Sequence, residues 1–264
     1  HKGATLMKSR ICLLLPVFCS IFAISGLMSY VSPVVASANC VILNNHSGYL
    51  ASDGKYYLTG EVQNQGTTAA SKPWISVRFL DVEGIQITSW VTSTFLSALL
   101  PGRKAPFKLF VDSTSVHSYE FYNLTFSETS DPELGLEITS HSWTKTSGNI
   151  TVTGSVKNTG TYSAHALHVV CTFYDGDGHV VSAQNHIIAT PPLDPQQQRP
   201  FTITEPMDPG RESVYATYEL TAESNEYETI PELPFSACIY ALLAASITLI
   251  ILRRVRLLKP MPIV

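Results

Sequence analysis

Apolar and polar residues alternate with a period of two along much of the chain. Leu58, Gly60 and Val62 follow it, as do Ile75, Val77 and Phe79, and again Val169, Cys171 and Phe173. This is the period of a β-strand with one face buried. Between such runs, Asn64-Gln65-Gly66 and Asn158-Thr159-Gly160 supply turn chemistry, because Asn and Gly take positive φ at low cost. No amphipathic helix period interrupts these stretches. The alternation fails in two uninterrupted apolar runs. Residues 11–25 follow Lys8 and Arg10, the order of a secretory signal, and Ala36-Ser37-Ala38 fits an A-x-A cleavage site. A signal peptide over residues 1–38 is therefore expected, with an uncleaved anchor as the alternative. Residues 235–252 carry no charge, and 18 residues at a rise of about 1.5 Å cross about 27 Å of hydrocarbon. Arg253, Arg254, Arg256 and Lys259 follow, which the positive-inside rule places in the cytoplasm. A single-pass cell-membrane protein with residues 39–234 extracellular is expected, a buried core helix being the alternative.

The pattern also repeats on a larger scale. Residues 58–67 (LTGEVQNQGT) lie over residues 152–161 (VTGSVKNTGT) at an offset of 94 residues. The register continues without a gap: Phe79, Asp81 and Gly84 fall on Phe173, Asp175 and Gly178, and Pro101, Pro106 and Phe107 fall on Pro195, Pro200 and Phe201. Roughly a quarter of about 50 aligned positions are identical, which marks a duplication. Short strands and closely spaced turns in copies of about 90 residues predict an all-β fold. Two tandem immunoglobulin-like β-sandwich domains are expected, over residues 39–126 and 134–222. A short polar linker, 127–133, leaves them limited relative freedom. Residues 223–234 are acidic and aperiodic and read as a stalk, ahead of the helix at 235–252 and a basic cytoplasmic tail at 253–264.

At these positions the chain resembles a family. Gly-x-Val-x-Asn-x-Gly, then Phe-Leu-Asp at 79–81 or Phe-Tyr-Asp at 173–175, then Gly, then Pro before Phe, is similar to the FxLYD and related extracytoplasmic Ig-like domains of archaea and bacteria. The resemblance covers residues 45–125 and 137–222 and implies a fold and an interaction role, with no activity. The first copy departs at Val82, where the second has Gly176, so the two hairpin turns are expected to differ. The tail resembles the PEF-type sorting signals of archaeal surface proteins, in Pro231, Glu232 and Leu233 before the apolar run and Arg253 and Arg254 after it. That resemblance implies an archaeosortase-type processing enzyme as a partner. Leu233 stands where the family usually has Phe, and a stiff, non-helical stalk end is the alternative.

Composition sharpens this reading. Hydrophobic residues are 45% of the 264 and charged residues 14%, in keeping with apolar residues gathered in membrane-directed segments. Seven of the 17 bases stand at the two ends, leaving 10 against all 21 acids between them, net −11. That balance argues against nucleic acid as a partner and favours cationic ones. Of the five cysteines, Cys12, Cys19 and Cys238 fall in the apolar runs. Cys171 aligns with inward Val77 and is expected as a buried free thiol, a bridge to Cys40 being the alternative.

Candidate chemistry is sparse. Asp175-Gly176-Asp177-Gly178 opens like a calcium loop, but position twelve is His186 rather than Glu, so a hairpin turn is expected, with weak calcium binding as the alternative. His165, His168, His179 and His186 lie in the second copy and imidazoles bind zinc or copper, but residues three apart on a strand face opposite ways. Gly-x-Ser-x-Gly, His-Glu-x-x-His and phosphate-loop patterns do not occur. The chain is expected to be noncatalytic and to hold no cofactor. Trp74 shares the outward face of its strand with Ser76 and Arg78, and capping the sandwich edge or packing on the neighbouring domain is expected of it, with a partner anchor as the alternative. Asn45, Asn123 and Asn149 head glycosylation triplets. The expected role is a cell-surface module for envelope structure, adhesion or binding. An accessory subunit of a membrane complex, or a metal-binding protein or enzyme using the second copy's histidines, are the alternatives.

Overall fold

The computed structural model describes residues 37–188 and 191–230. The apolar runs, the basic tail and the sorting residues Pro231, Glu232, Leu233, Arg253 and Arg254 lie outside them. Among the described residues no helix is long and apolar enough to cross a membrane, and every regular element is a strand. The N-terminal half contains β1 (Cys40–Ile42), β2 (Ser47–Leu50), β3 (Tyr56–Asn64), β4 (Ala70–Ser71), β5 (Trp74–Leu80), β6 (Gln86–Ser93), β7 (Ala98–Leu99), β8 (Lys104–Val111) and β9 (Ser118–Thr125). The C-terminal half contains β10 (Glu133–Thr146), β11 (Asn149–Asn158), β12 (His168–Tyr174), β13 (Val180–Ile187), β14 (Gln198–Pro206), β15 (Thr217–Glu223) and β16 (Tyr227–Thr229).

Each half is a pair of layers closed over its own apolar cluster. In the first, β1 and β2 pair in succession with one edge of β3 and β8 pairs with the other, while β6, β5 and β9 form the second layer. The alternation read from the sequence fills the space between them: Leu58, Val62, Ile75, Val77, Phe79, Leu99 and Phe107 are buried together. In the second half the layers join into one curled seven-stranded sheet, β13-β12-β15-β16-β10-β11-β14. The joint is β16, antiparallel to β15 and parallel to β10. Residues 223–234 were expected as a solvated stalk, yet Glu223 ends β15 and Tyr227, Glu228 and Thr229 are buried in β16. The Tyr227 ring decides this, lying over Gly135 and Gly160, where any side chain would collide with it. The expected linker is likewise held, since Ser127 O accepts the Ser71 N–H and the Thr129 N–H donates to Ala69 O.

The family-like residues have local duties. Gly60 faces Phe107 across β3 and β8, and Gly154 faces Phe201 across β11 and β14. A β-carbon on either glycine would fall 2.7 or 2.5 Å from the ring. Asn64 and Asn158 are buried loop staples: each Nδ2 donates to two carbonyls, of Thr68 and Leu99 or of Tyr162 and Leu193, and each Oδ1 accepts the N–H of Gly66 or Gly160. Cys40 and Cys171 are both free and buried.

Candidate functional site

The two halves meet along a seam formed by the outer face of β2-β3-β8 and the outer face of β12-β13. Val170, on β12, completes the apolar cluster of the N-terminal half. Around it the seam is polar and closed. Val180 O accepts the hydroxyls of Ser47 and of Thr59, the latter at 2.8 Å, and Val180 N–H donates to Asn45 O at 2.7 Å. Glu61 is buried, its Oε1 taken by the Tyr174 hydroxyl at 2.6 Å and its Oε2 by Asn45 Nδ2 at 2.7 Å, with Lys104 Nζ at 3.5 Å. Burial raises the Tyr174 hydroxyl pKa, and Glu61 and Glu219 add to the rise. Glu205 is buried too, against Lys108 Nζ at 3.2 Å and donors from Ser182 and Gln184. At the far end the Glu223 carboxylate accepts the N–H groups of Ser97 and Ala98 and lies 3.2 Å from His168 Nε2.

Beside this seam a cleft of about 350 Å³ is lined by Tyr49, Tyr57, Lys108, Gln184, Glu205 and Asp208. The Arg211 guanidinium lies 3.7 Å from the Tyr49 ring centre, and Asp208 accepts Ser52 N–H and Oγ–H. The buried Glu205 carboxylate has three donors, Lys108, Ser182 and Gln184, which tie the cleft wall across the two halves.

Of the sequence candidates, Asp175 and Asp177 converge with His179. The cluster closes on its own turn: Asp175 Oδ1 accepts the N–H groups of Asp177 and His179, and Oδ2 is 3.3 Å from His179 Nδ1. Partial burial acts to raise the Asp175 pKa, but the His179 and Asp177 N–H groups outweigh it and lower it. Asp81 closes the first copy's turn in the same way, accepting N–H groups of Glu83 and Ile85. The hairpin turns expected to differ are thus alike. Both place their last glycine at positive φ, 80° at Gly84 and 86° at Gly178, while Gly176 sits where Val82 fits equally well. His165 and His168 do not join the cluster, being occupied with Glu226 and Glu223.

Asn45 is a correction among the sequons, because its Nδ2 donates to buried Glu61 inside the seam and so is not presented for modification. Asn123 and Asn149 are exposed. Trp74 does face outward, and Arg78 beside it is paired with Glu120 at 2.9 Å. Together with Val91 and Tyr122, Trp74 makes the outer face of β6-β5-β9 an open surface, these three being 55%, 53% and 51% exposed. Sequence reasoning missed one repeated pair: His46 Nδ1 lies 2.7 Å from the Tyr119 hydroxyl and His141 Nδ1 lies 2.7 Å from that of Tyr218. The offsets are 95 and 99 residues, so an alignment with gaps on either side of the ungapped register would have shown it.

No protein-family model and no curated protein matches the chain. Similar solved structures include a putative beta-galactosidase from Bacteroides fragilis, with 15% identity over 66% of this chain and 31% of that one, TM-score 0.26. Red sea bream transglutaminase shows 12% identity over 76% of this chain and 32% of its own, TM-score 0.23. A beta-glucuronidase of glycoside hydrolase family 2 shows 11% over 66% and 23%, TM-score 0.27. The chain thus spans about a third or less of these proteins, and likeness of this size carries no activity across.

Proposed function

We propose that the chain is a membrane-tethered, surface-exposed, noncatalytic protein whose two Ig-like domains form one rigid binding or envelope module. One observation carries the reading. The outer face of β12-β13 in the second domain is buried against the first, whereas the corresponding outer face of β5-β6 is open and bears Trp74, Val91 and Tyr122 around the Arg78–Glu120 pair. Exposed aromatic and Arg side chains on a flat sheet are the usual material of protein contacts. The duplicated layers, each burying a middle-strand Phe in one cluster with a glycine-facing Phe, support the Ig-like assignment. The apolar run at 235–252 and the bases after it support the tether. Asn123 and Asn149 are its accessible glycan acceptors.

A photo-cross-linking side chain at Val91, in the protein in its native membrane, tests the face. A single adduct that Trp74→Ala removes, and that the same probe at turn residue Val82 does not give, is expected. Absence of an adduct at Val91 overturns the reading. Intact mass of the same material tests the ends: a start at Asn39 is expected, and a mass retaining residues 1–38 overturns the cleaved signal.

A further inference from the structure

Because the domains are copies, the joint between them is a template for a second one. The seam uses the β2-β3-β8 face of the first domain and the β12-β13 face of the second. Left open are the corresponding faces, β10-β11-β14 of the second domain and β5-β6 of the first. We propose that these two faces dock on each other between copies of the chain, head to tail, repeating the joint found within it. The proposal rests on reading the Trp74 face as a binding face and names its partner as a second copy.

Corresponding positions carry the argument. In the seam, Ser47 and Thr59, 3.4 Å apart across β2 and β3, both donate to Val180 O. Ser142 and Thr153 stand in the same cross-strand relation, hydroxyls 3.3 Å apart, and are exposed. The residue that pairs with Leu80 as Val180 pairs with Tyr174 is Gln86, at the open start of β6. The same hydroxyl clamp thus exists twice, filled once. At the seam's far end Glu223, beside His168, binds the N–H groups of Ser97 and Ala98. At an offset of 94 residues Ser97 and Ala98 become Pro191 and Pro192, which have no N–H, and His168 becomes Trp74, half exposed. Thr125, opposite Trp74, takes the place of Glu223. A carboxylate facing two N–H groups is thus replaced by an indole facing two prolines, and each set suits its own counterpart.

Charge agrees. Glu61, Lys104 and Lys108, which pair within the seam, correspond to Ser155, Gln198 and Thr202. The middle of the open face runs in uncharged ranks, Ser142-Thr153-Thr202 and Thr144-Thr151-Thr204, and at its end Glu137 stands opposite Lys157, one charge of each sign. Opposite it, β6 has no charged residue and Arg78 is neutralised by Glu120. Docking therefore buries no unpaired charge. The contact is heterologous, so each dimer keeps one free face of each kind, one on either copy, and chains can grow.

The test uses the full chain, made without glycans so that Asn123 on one face and Asn149 on the other are bare, in mild detergent, followed by sedimentation velocity over a range of concentrations. The wild type is expected to form dimers and then longer species. Thr153→Arg and Val91→Arg are both at exposed sites, and each is expected to weaken self-association at least about tenfold. Mixed together, the two variants should give dimers and nothing longer, since the pair retains one intact face of each kind. Circular dichroism confirms that each variant folds. A monomeric wild type overturns the proposal, as does a Thr153→Arg chain that still assembles while Val91→Arg does not, the signature of symmetric β6-to-β6 pairing. A monomeric chain whose Val91 probe still captures a different protein keeps the binding face and loses the second copy as partner. One that captures nothing loses both.

Discussion

At Gln196 the backbone holds φ at 66°, where the first copy has Gly102 at 77°, and both N–H groups bond to the staple asparagine's carbonyl at 2.7 Å. A β-carbon in that conformation costs about 1–2 kcal/mol, against which glycine adds about 0.5–1 kcal/mol of chain entropy. Gln196→Gly is therefore expected to stabilise the protein by about 0.5–1 kcal/mol, and Gly102→Gln to destabilise it by a similar amount. Urea midpoints at unchanged slope read both. Glu228 is a second residue out of its ordinary state, 1% exposed, with neither carboxylate oxygen hydrogen-bonded. Burial pushes its pKa up to about 7 from an ordinary 4.5, Arg103 opposing and Glu223 and Asp131 adding. The folded value lies above the unfolded one, so between them the native state holds a proton that the unfolded chain has released. Stability is greatest below the unfolded value, falls as pH rises toward 7 and is level beyond. The loss is on the order of 3 kcal/mol, and Glu228→Gln should remove it. Thermal midpoints of both proteins on either side of that window decide the matter.

Among the elements, β3 and β8 carry an ion pair that side chains of the C-terminal half complete. Glu61 is buried at the seam with the C-terminal half, and Lys104 reaches both it and Glu219, with the Tyr174 hydroxyl bonded to both carboxylates. Lys104→Met leaves Glu61 with two neutral donors and is expected to cost about 2–3 kcal/mol, less than a wholly buried pair because Lys104 is partly exposed. Adding Glu61→Gln should recover most of it, and a double-mutant cycle by denaturant unfolding measures the coupling. The same strands show what a sequence reveals. Alternation exposed β3, β5 and β12 because each has one buried face, and the 94-residue offset added β11 and located their turns. It did not expose Glu61 as buried, since at an outward polar position it looks solvated until a surface a hundred residues away covers it, nor Glu205, a carboxylate that follows Phe201 and Ile203 on the inward face of β14. For the same reason Asn45 read as a glycan site while its amide serves Glu61. Tyr227-Glu228-Thr229 read as stalk because an acid in a short polar stretch gives no period, and pairing with β10 and β15 makes it a strand. Trp74 was legible as outward-facing. What its face corresponds to was not, because that depends on how the two domains sit.

The described region is held at the seam by side chains from both halves, and Val170 is the clearest case, a β12 residue buried in the N-terminal half's core. Because ordering one half completes the core of the other, the described region is expected to unfold in one transition, unlike a pair of domains on a free linker. The chain's three tryptophans allow the halves to be watched separately, Trp74 and Trp90 reporting on the first and Trp143 on the second. In the wild type, fluorescence from a Trp143→Phe variant and from a Trp74→Phe, Trp90→Phe variant should follow coincident curves. Val170→Asp places an unpaired carboxylate in the seam and is expected to cost about 3 kcal/mol or more. The cost falls on the contact between halves, so the two curves should then separate, the first domain melting earlier because it loses an apolar contact from its own cluster. Curves that already separate in the wild type would show that the seam's hydrogen bonds add little to the stability of either half.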